Sequence, residues 1–181
     1  SKLFAMIEKD GFVINNLDDN YSDLFKNAAR CRLFTYSLLK TADFTWAPGV
    51  TWSNGISGEI LTPNGKIEIK SCLSGQFNLK NILAATAVAV NLNIDDKIIA
   101  SALSGVESVP GRLQEISHSG QLRVFIDYAH TPDAITNVLQ TLRGMLPTSG
   151  HLIVVFGCGG NRDRDKRPKM ARAVESLADQ A

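Results

Sequence analysis

Apolar residues recur at helical spacing through Leu3, Phe4 and Ile7, and Asp10-Gly11 then breaks that pattern before a short apolar strand at 12–14. A helix is expected at 22–28. Over 32–73 the pattern shortens to β-rich runs divided by Pro48-Gly49, Ser53-Asn54-Gly55 and Pro63-Asn64-Gly65, which predicts a small sheet of antiparallel strands and turns. Residues 78–91 (NLKNILAATAVAVN) are apolar around much of their circumference and predict a buried helix. A further helix is predicted at 95–103, stopped by Gly105.

Residues 106–112 (VESVPGR) carry Pro and Gly without helical or alternating periodicity, as a hinge between two domains would. The boundary is placed near Glu115, dividing the chain into 1–114 and 115–181. Beyond it, 122–126 (LRVFI) reads as a strand. Thr131-Pro132-Asp133 supplies an N-cap, an N1 proline and a first-turn acid for a helix running to about Met145. The cycle repeats with an apolar strand at 151–156 (HLIVVF), a tight loop at 157–160 and a helix opened by Pro168. This β-α-β-α order predicts parallel strands in a doubly wound sheet, with its site at the strand C-terminal ends. No internal repeat or low-complexity segment interrupts the pattern.

Composition narrows the function classes. The chain has 181 residues, 44% hydrophobic and 20% charged, enough for one or two globular domains. A net charge of +1 gives no electrostatic case for a nucleic acid or an anionic membrane as partner. No apolar run approaches the roughly 18 residues that suggest a membrane span, and the N-terminus lacks a signal-peptide pattern. Cys31, Cys72 and Cys158 are odd in number and widely spaced, fitting neither a disulfide framework nor a zinc site, so a reducing, cytoplasmic setting is expected. The chain opens at Ser1 without Met and stops at Ala181 inside a helical pattern, from which an internal piece of a longer protein is expected.

The chemistry concentrates where the second-domain strands end, because 127–130 and 157–169 should then share one rim. Asp127 closes an apolar strand, where a carboxylate can receive ribose hydroxyls or can serve as a helix cap or turn former; the residues alone leave both open. A histidine at His130, just before a helix, is more often a capping or packing residue than a ligand. The loop GCGGNRDRDKRPKM sets three glycines against Arg162, Arg164, Lys166, Arg167 and Lys169, a combination suited to an anion although a solvated charged turn is the plainer alternative. A dinucleotide fingerprint fits poorly, since Arg162 stands where G-x-G-x-x-G needs its third glycine. There is no G-x-x-x-x-G-K-[ST], so no phosphate-binding P-loop of its own, and hydrolysis of ATP by this stretch unaided is not expected.

Taken in order, INNLDD (14–19), GQFNLKNILAA (75–85), VPGRL (109–113), DYAHTPDA (127–134) and GCGGNRDRDKRP (157–168) resemble the MurE branch of the Mur ligases. The resemblance covers essentially the whole chain. DYAHTPDA followed by GCGG-NRD is specific to that branch, whereas FN-x-x-N is shared with folylpolyglutamate and cyanophycin synthetases. The resemblance implies an α/β fold: the latter part of a central ATPase domain, with a mixed sheet plus helices, then the start of a Rossmann-like C-terminal domain. It also implies an ATP-dependent amide ligase of peptidoglycan synthesis. In such enzymes ATP phosphorylates the terminal carboxylate of UDP-MurNAc-L-Ala-D-Glu, and an amino acid, meso-diaminopimelate or L-lysine, attacks the acyl phosphate.

The same resemblance implies the site residues. Lys2 takes the place of the family's carbamylated lysine, with one residue of gap, and its carbamate would support Mg²⁺. Asn78 and Asn81, three apart on a helix, would meet adenine. Arg112 would reach the nucleotide phosphates as the domains close, Asp127 would hold the ribose, and His130 joins the ATP contacts. Arg162 would bind the incoming amino acid. Asn161 departs from the commoner acidic residue there. The D-N-P-R segment that distinguishes the two amino acids lies beyond Ala181, and the GCGG-NRD form favours meso-diaminopimelate. The competing readings are a non-catalytic nucleotide-binding module of the same fold and another ligase of the superfamily, such as a cyanophycin synthetase.

Overall fold

The computed structural model describes residues 2–53, 55–116, 122–159 and 163–181. The chain forms two compact units, Ser1–Glu107 and Ser108–Ala181, and the division falls inside the 106–112 segment.

In the first unit, α1 (Lys2–Ala5) packs on α2 (Ser22–Ala28) through the Phe4 and Phe25 rings, 5.1 Å apart. Between them runs β1 (Phe12–Asn16), whose alternate residues Val13 and Asn15 are buried. Asn15 is a buried amide that must be satisfied, and its Nδ2 donates to the backbone oxygen of Ser22 at 3.2 Å and to its hydroxyl at 3.0 Å. That bond fastens the start of α2 to β1. The chain then returns as β2 (Arg32–Tyr36), parallel to β1 from Phe12↔Arg32 to Asn16↔Tyr36. This corrects the expectation that residues 32–36 open the antiparallel sheet. The intervening helix makes β1-α2-β2 a crossover unit, and a crossover returns its second strand parallel to the first.

The antiparallel sheet comprises β3 (Thr45–Trp46), β4 (Ile56–Thr62) and β5 (Gly65–Ser71), in the order β3-β4-β5. Pro63 and Asn64 turn the chain between the paired Thr62 and Gly65, and Gly65, at φ 142°, takes a backbone conformation that costs other residues strain. Ile56, Ile60, Ile67 and Ile69 face the core with Phe44, under α3 (Gln76–Asn91) and α4 (Asp96–Ser104). Burial of each such side chain contributes about 1.5–3 kcal/mol. Trp46 joins sheet to helix by donating from Nε1 to the Leu79 oxygen at 3.2 Å. The N-terminus of α4 is capped by Asp95, whose carboxylate accepts Lys97 N–H at 2.8 Å.

In the second unit, β6 (Gln114–Ile116) and β7 (Val124–Ile126) form an antiparallel hairpin, closed by Arg123 donating twice to Glu115 at 2.7 and 2.8 Å. Helix α5 (Pro132–Met145) begins as expected, with Thr131 Oγ1 accepting Ala134 N–H and Pro132 at its first position. Helix α6 (Lys166–Leu177) starts two residues before Pro168, which is tolerated because the first-turn N–H groups have no intrahelical partner. The core between the two helices holds Ile135, Leu139, Leu152, Met170 and Val174.

The expected parallel pairing of 122–126 with 151–156 is not formed among the described residues. β7 takes β6 as its partner instead, and of 151–156 only Ile153 bridges in parallel, to Gln180. A hairpin neighbour closes the shorter loop. Apolar periodicity marks a strand without naming its partner, and Val155 stands 98% exposed. No described helix is long and apolar enough to cross a membrane.

Candidate nucleotide and substrate site

At the C-terminal end of β7 the chain turns out through Asp127, Tyr128 and His130 into α5. The VPGRL segment lies against this turn. Gly111, held at φ 67° where glycine is favoured, accepts Tyr128 N–H at 2.8 Å, and Gly111 N–H donates to Gln114 Oε1 at 3.1 Å. Leu113, buried and itself at φ 44°, donates its N–H to Asp127 Oδ2 at 2.8 Å. The other carboxylate oxygen accepts Ala129 N–H at 2.7 Å. Asp127 therefore fills the turn-forming role that the sequence left open beside ribose binding. Each oxygen has a second lone pair, so ribose hydroxyls are not excluded. Arg112, exposed between Gly111 and Leu113, is carried on backbone tied at both sides to the end of β7.

The rim expected of 127–130 and 157–169 is present within this unit: Lys166 Nζ donates to the His130 carbonyl oxygen at 3.1 Å. Arg167 reaches the Gly159 oxygen at 3.4 Å, and Cys158 lies against Met170, sulfur to sulfur 3.9 Å. Arg162 and Asn161 lie outside the described residues. His130 neither caps nor packs, since Thr131 caps α5 and the imidazole is exposed; its Nδ1 is 3.0 Å from the Tyr128 oxygen. Lys166 was visible in the sequence only as one cation of a charge run.

In the first unit, Asn78 and Asn81 come together on one face of α3, with Asn81 Nδ2 donating to Asn78 Oδ1 at 3.1 Å. Their surroundings differ. Asn78 is buried and its own Nδ2 donates to Ser74 O at 2.8 Å, tying off the helix N-terminus, whereas Asn81 is exposed. Lys2 stands exposed on α1, which packs on α2.

The NLDD segment does work that its motif did not disclose. Asp18 accepts the Ser37 hydroxyl and Leu38 N–H, joining the end of β1 to the end of β2. Burial pushes its carboxyl up, but those donors, helped by Lys80 of α3, outweigh burial and hold it below the usual carboxylate range. Among the described residues no three or more His, Cys, Asp or Glu side chains group to hold a metal ion.

Comparison with known proteins bears on both units. The Mur ligase middle domain matches residues 1–89, and the Mur ligase glutamate ligase domain matches residues 111–181. The UDP-N-acetylmuramoyl-L-alanyl-D-glutamate–2,6-diaminopimelate ligase of Nostoc sp. is 39% identical over 99% of this chain and 36% of its own length. That of Gloeobacter violaceus is 42% identical over 98% of this chain and 36% of its own length. The chain thus spans about a third of the length of these relatives. A solved structure of a ligase of the same name superposes with a TM-score of 0.64 at 35% identity, over 92% of this chain and 35% of that one. Folylpolyglutamate synthetase from Lactobacillus casei, at 19% identity, shares the fold, with a TM-score of 0.73 over 99% of this chain and 44% of that one. Together the two domain matches and the full-span identity show that this α/β chain belongs to the Mur ligase family.

Proposed function

We propose that the chain supplies part of the central ATPase domain and the start of the C-terminal domain of a cytoplasmic, ATP-dependent amide ligase of the MurE type. Its substrates are UDP-MurNAc-L-Ala-D-Glu and meso-diaminopimelate, the latter favoured over L-lysine. The observation that carries this reading is identity of about 40% along nearly the whole chain to ligases named for 2,6-diaminopimelate. The DYAHTPDA and GCGG-NRD segments fall within that span.

Within this reading Asn81 meets the adenine and the buried Asn78 orients it, Asp127 receives the ribose, and Arg112 reaches the phosphates. Arg162 takes the carboxylate of the incoming amino acid. Mg²⁺ neutralises charge on the transferring phosphoryl group when bound. It keeps several waters and needs only one or two carboxylates beside the nucleotide phosphates, so the lack of a dense acidic cage among the described residues suits it. Lys2, exposed on α1, is open to carbamylation and would supply one such carboxylate. Domain assignment follows the same reading, with residues 1–114 belonging to the ATPase domain and 115–181 to the ligase domain.

The test is phosphate release by the complete polypeptide containing this chain, with ATP, Mg²⁺ and UDP-MurNAc-L-Ala-D-Glu, comparing meso-diaminopimelate, L-lysine and no amino acid. Release that depends on meso-diaminopimelate is expected. No release with any of them from folded protein would sink the reading in favour of a non-catalytic module or another ligase of the superfamily.

A further inference from the structure

The ligase reading above requires a step for which no residue has yet been named. An amino acid reaches the enzyme as an ammonium ion, which has no lone pair, so a proton must leave before the nitrogen can attack.

His130 is built for that task. Its imidazole is exposed at the end of β7, while capping falls to Thr131 and packing to Ala129 and Ile135. The ring nitrogen Nδ1 stands 3.0 Å from the Tyr128 carbonyl oxygen. A carbonyl oxygen can only accept, so the proton of that bond sits on Nδ1, and in the neutral ring the lone pair is on Nε2. Three contacts keep the carbonyl and the ring in place. Tyr128 N–H donates to Gly111 O at 2.8 Å, the Tyr128 ring lies 5.3 Å from the imidazole at 59°, and Lys166 Nζ donates to His130 O at 3.1 Å. The titratable groups against the ring are thus the Tyr128 phenol and the Lys166 ammonium. The Asp127 carboxylate is engaged by the backbone N–H groups of Leu113 and Ala129. No described residue bonds Nε2. Backbone orientation of one imidazole nitrogen, with the other left basic and accessible, is how a histidine is held for general-base catalysis.

We propose that His130, beyond any contact with the nucleotide, is the general base that activates the incoming amino acid. Nε2 takes one proton from R–NH₃⁺, giving R–NH₂ and the imidazolium. The amine lone pair forms the C–N bond to the acyl carbon of the acyl phosphate. The C–O bond to the phosphoryl group breaks, and its electron pair leaves with inorganic phosphate. The nitrogen loses its second proton to solvent as the amide forms, and the imidazolium returns its proton to solvent.

The experiment uses the complete ligase and two variants, His130→Asn and His130→Ala. Asparagine can keep a donor near the Nδ1 position, facing Tyr128 O, and lacks Nε2. Two quantities are followed across neutral pH: formation of the acyl phosphate in the absence of amino acid, trapped by borohydride reduction, and kcat for amide formation. For both variants the expected result is acyl-phosphate formation and KM for ATP within about twofold of wild type, with amide formation down roughly a hundredfold. The acid limb of the kcat profile should disappear, and added imidazole should restore part of the rate to His130→Ala. A rise in KM for ATP with kcat kept, or loss of acyl-phosphate formation, would make His130 a nucleotide contact and overturn the proposal. Wild-type kcat in His130→Asn would overturn it as well. Wild-type protein that forms no acyl phosphate would overturn the ligase reading itself, and this proposal with it.

Discussion

Asp127 Oδ2 accepts the N–H of Leu113 at 2.8 Å, joining two segments fourteen residues apart in sequence. The bond has a geometric consequence. Leu113 sits at φ 44°, which a leucine adopts only when its surroundings hold it there, and the same carboxylate also takes the Ala129 N–H. One side chain therefore fixes both the exit from β7 and the backbone that carries Arg112.

Replacing Asp127 separates these duties. Asp127→Ala leaves the N–H of a buried residue without its acceptor, at a cost of about 1–3 kcal/mol. Asp127→Asn can keep one acceptor oxygen and should lose less. Urea titration of the protein should show a lower midpoint for Asp127→Ala than for Asp127→Asn, with both below wild type. In the complete ligase both should raise KM for ATP. An unchanged midpoint for the alanine variant would show that the clip holds nothing.

Leu113→Gly sets two effects against each other. Relief of the left-handed backbone is worth roughly 1–2 kcal/mol, and loss of a leucine side chain only 8% exposed costs about 1.5–3 kcal/mol. Glycine also adds freedom to the unfolded chain. Burial and entropy together win, so the variant should be less stable than wild type. A raised thermal midpoint would mean that backbone strain dominates.

Local signals in the sequence carried most elements, because their causes are local. Thr131-Pro132-Asp133 marks the start of α5 through capping chemistry, and Pro63-Asn64-Gly65 marks the β4–β5 turn. Partner choice was not legible. Residues 32–36 have the composition of any strand, and only the tertiary arrangement reveals β1 as their parallel neighbour. Likewise 151–156 reads as a strand from its apolar run, yet Val155 has no ladder beside it. The site shows the same division. FN-x-x-N pointed to Asn78 and Asn81 together, but spacing cannot tell that one amide is buried and the other free.

That difference is testable. Asn78→Ala removes the donor to Ser74 O and the acceptor for Asn81, so it should destabilise the protein by about 1–2 kcal/mol and weaken ATP binding together. Asn81→Ala touches an exposed amide and should leave the unfolding midpoint within about 0.5 kcal/mol of wild type while raising KM for ATP. Chemical denaturation paired with ATP kinetics decides the matter. Equal effects of the two variants on stability would contradict the division of roles.

Lys2 and Arg162 belong to different steps of the proposed reaction. Lys2→Ala in the complete ligase should abolish turnover with the fold intact, and a small added carboxylate should restore part of it. Full activity without any added carboxylate would remove Lys2 from the metal's support. Arg162→Ala should act chiefly on KM for the amino acid, by roughly tenfold or more. An unchanged KM would remove it from that contact.

The end of α6 offers a prediction about acid. Asp179 accepts Leu152 N–H at 2.7 Å on one oxygen and pairs with Arg143 at 2.9 Å on the other, while Arg143 Nε donates to Leu177 O at 2.6 Å. The Arg143 guanidinium first, and the Leu152 N–H after it, hold the Asp179 carboxyl down from 3.8 to about 2. A depressed carboxylate contributes stability above its unfolded value and loses it as pH falls through the folded one. Its share should therefore be complete above about pH 4 and disappear progressively towards pH 2. Asp179→Asn cannot titrate there, so its thermal midpoint should start below wild type at neutral pH and converge on it in acid. Both side chains keep a third of their surface in water, so added salt should narrow the neutral-pH gap. Parallel pH profiles for the two proteins, with a constant gap down to pH 2, would show that Asp179 matters by its shape and not by its charge.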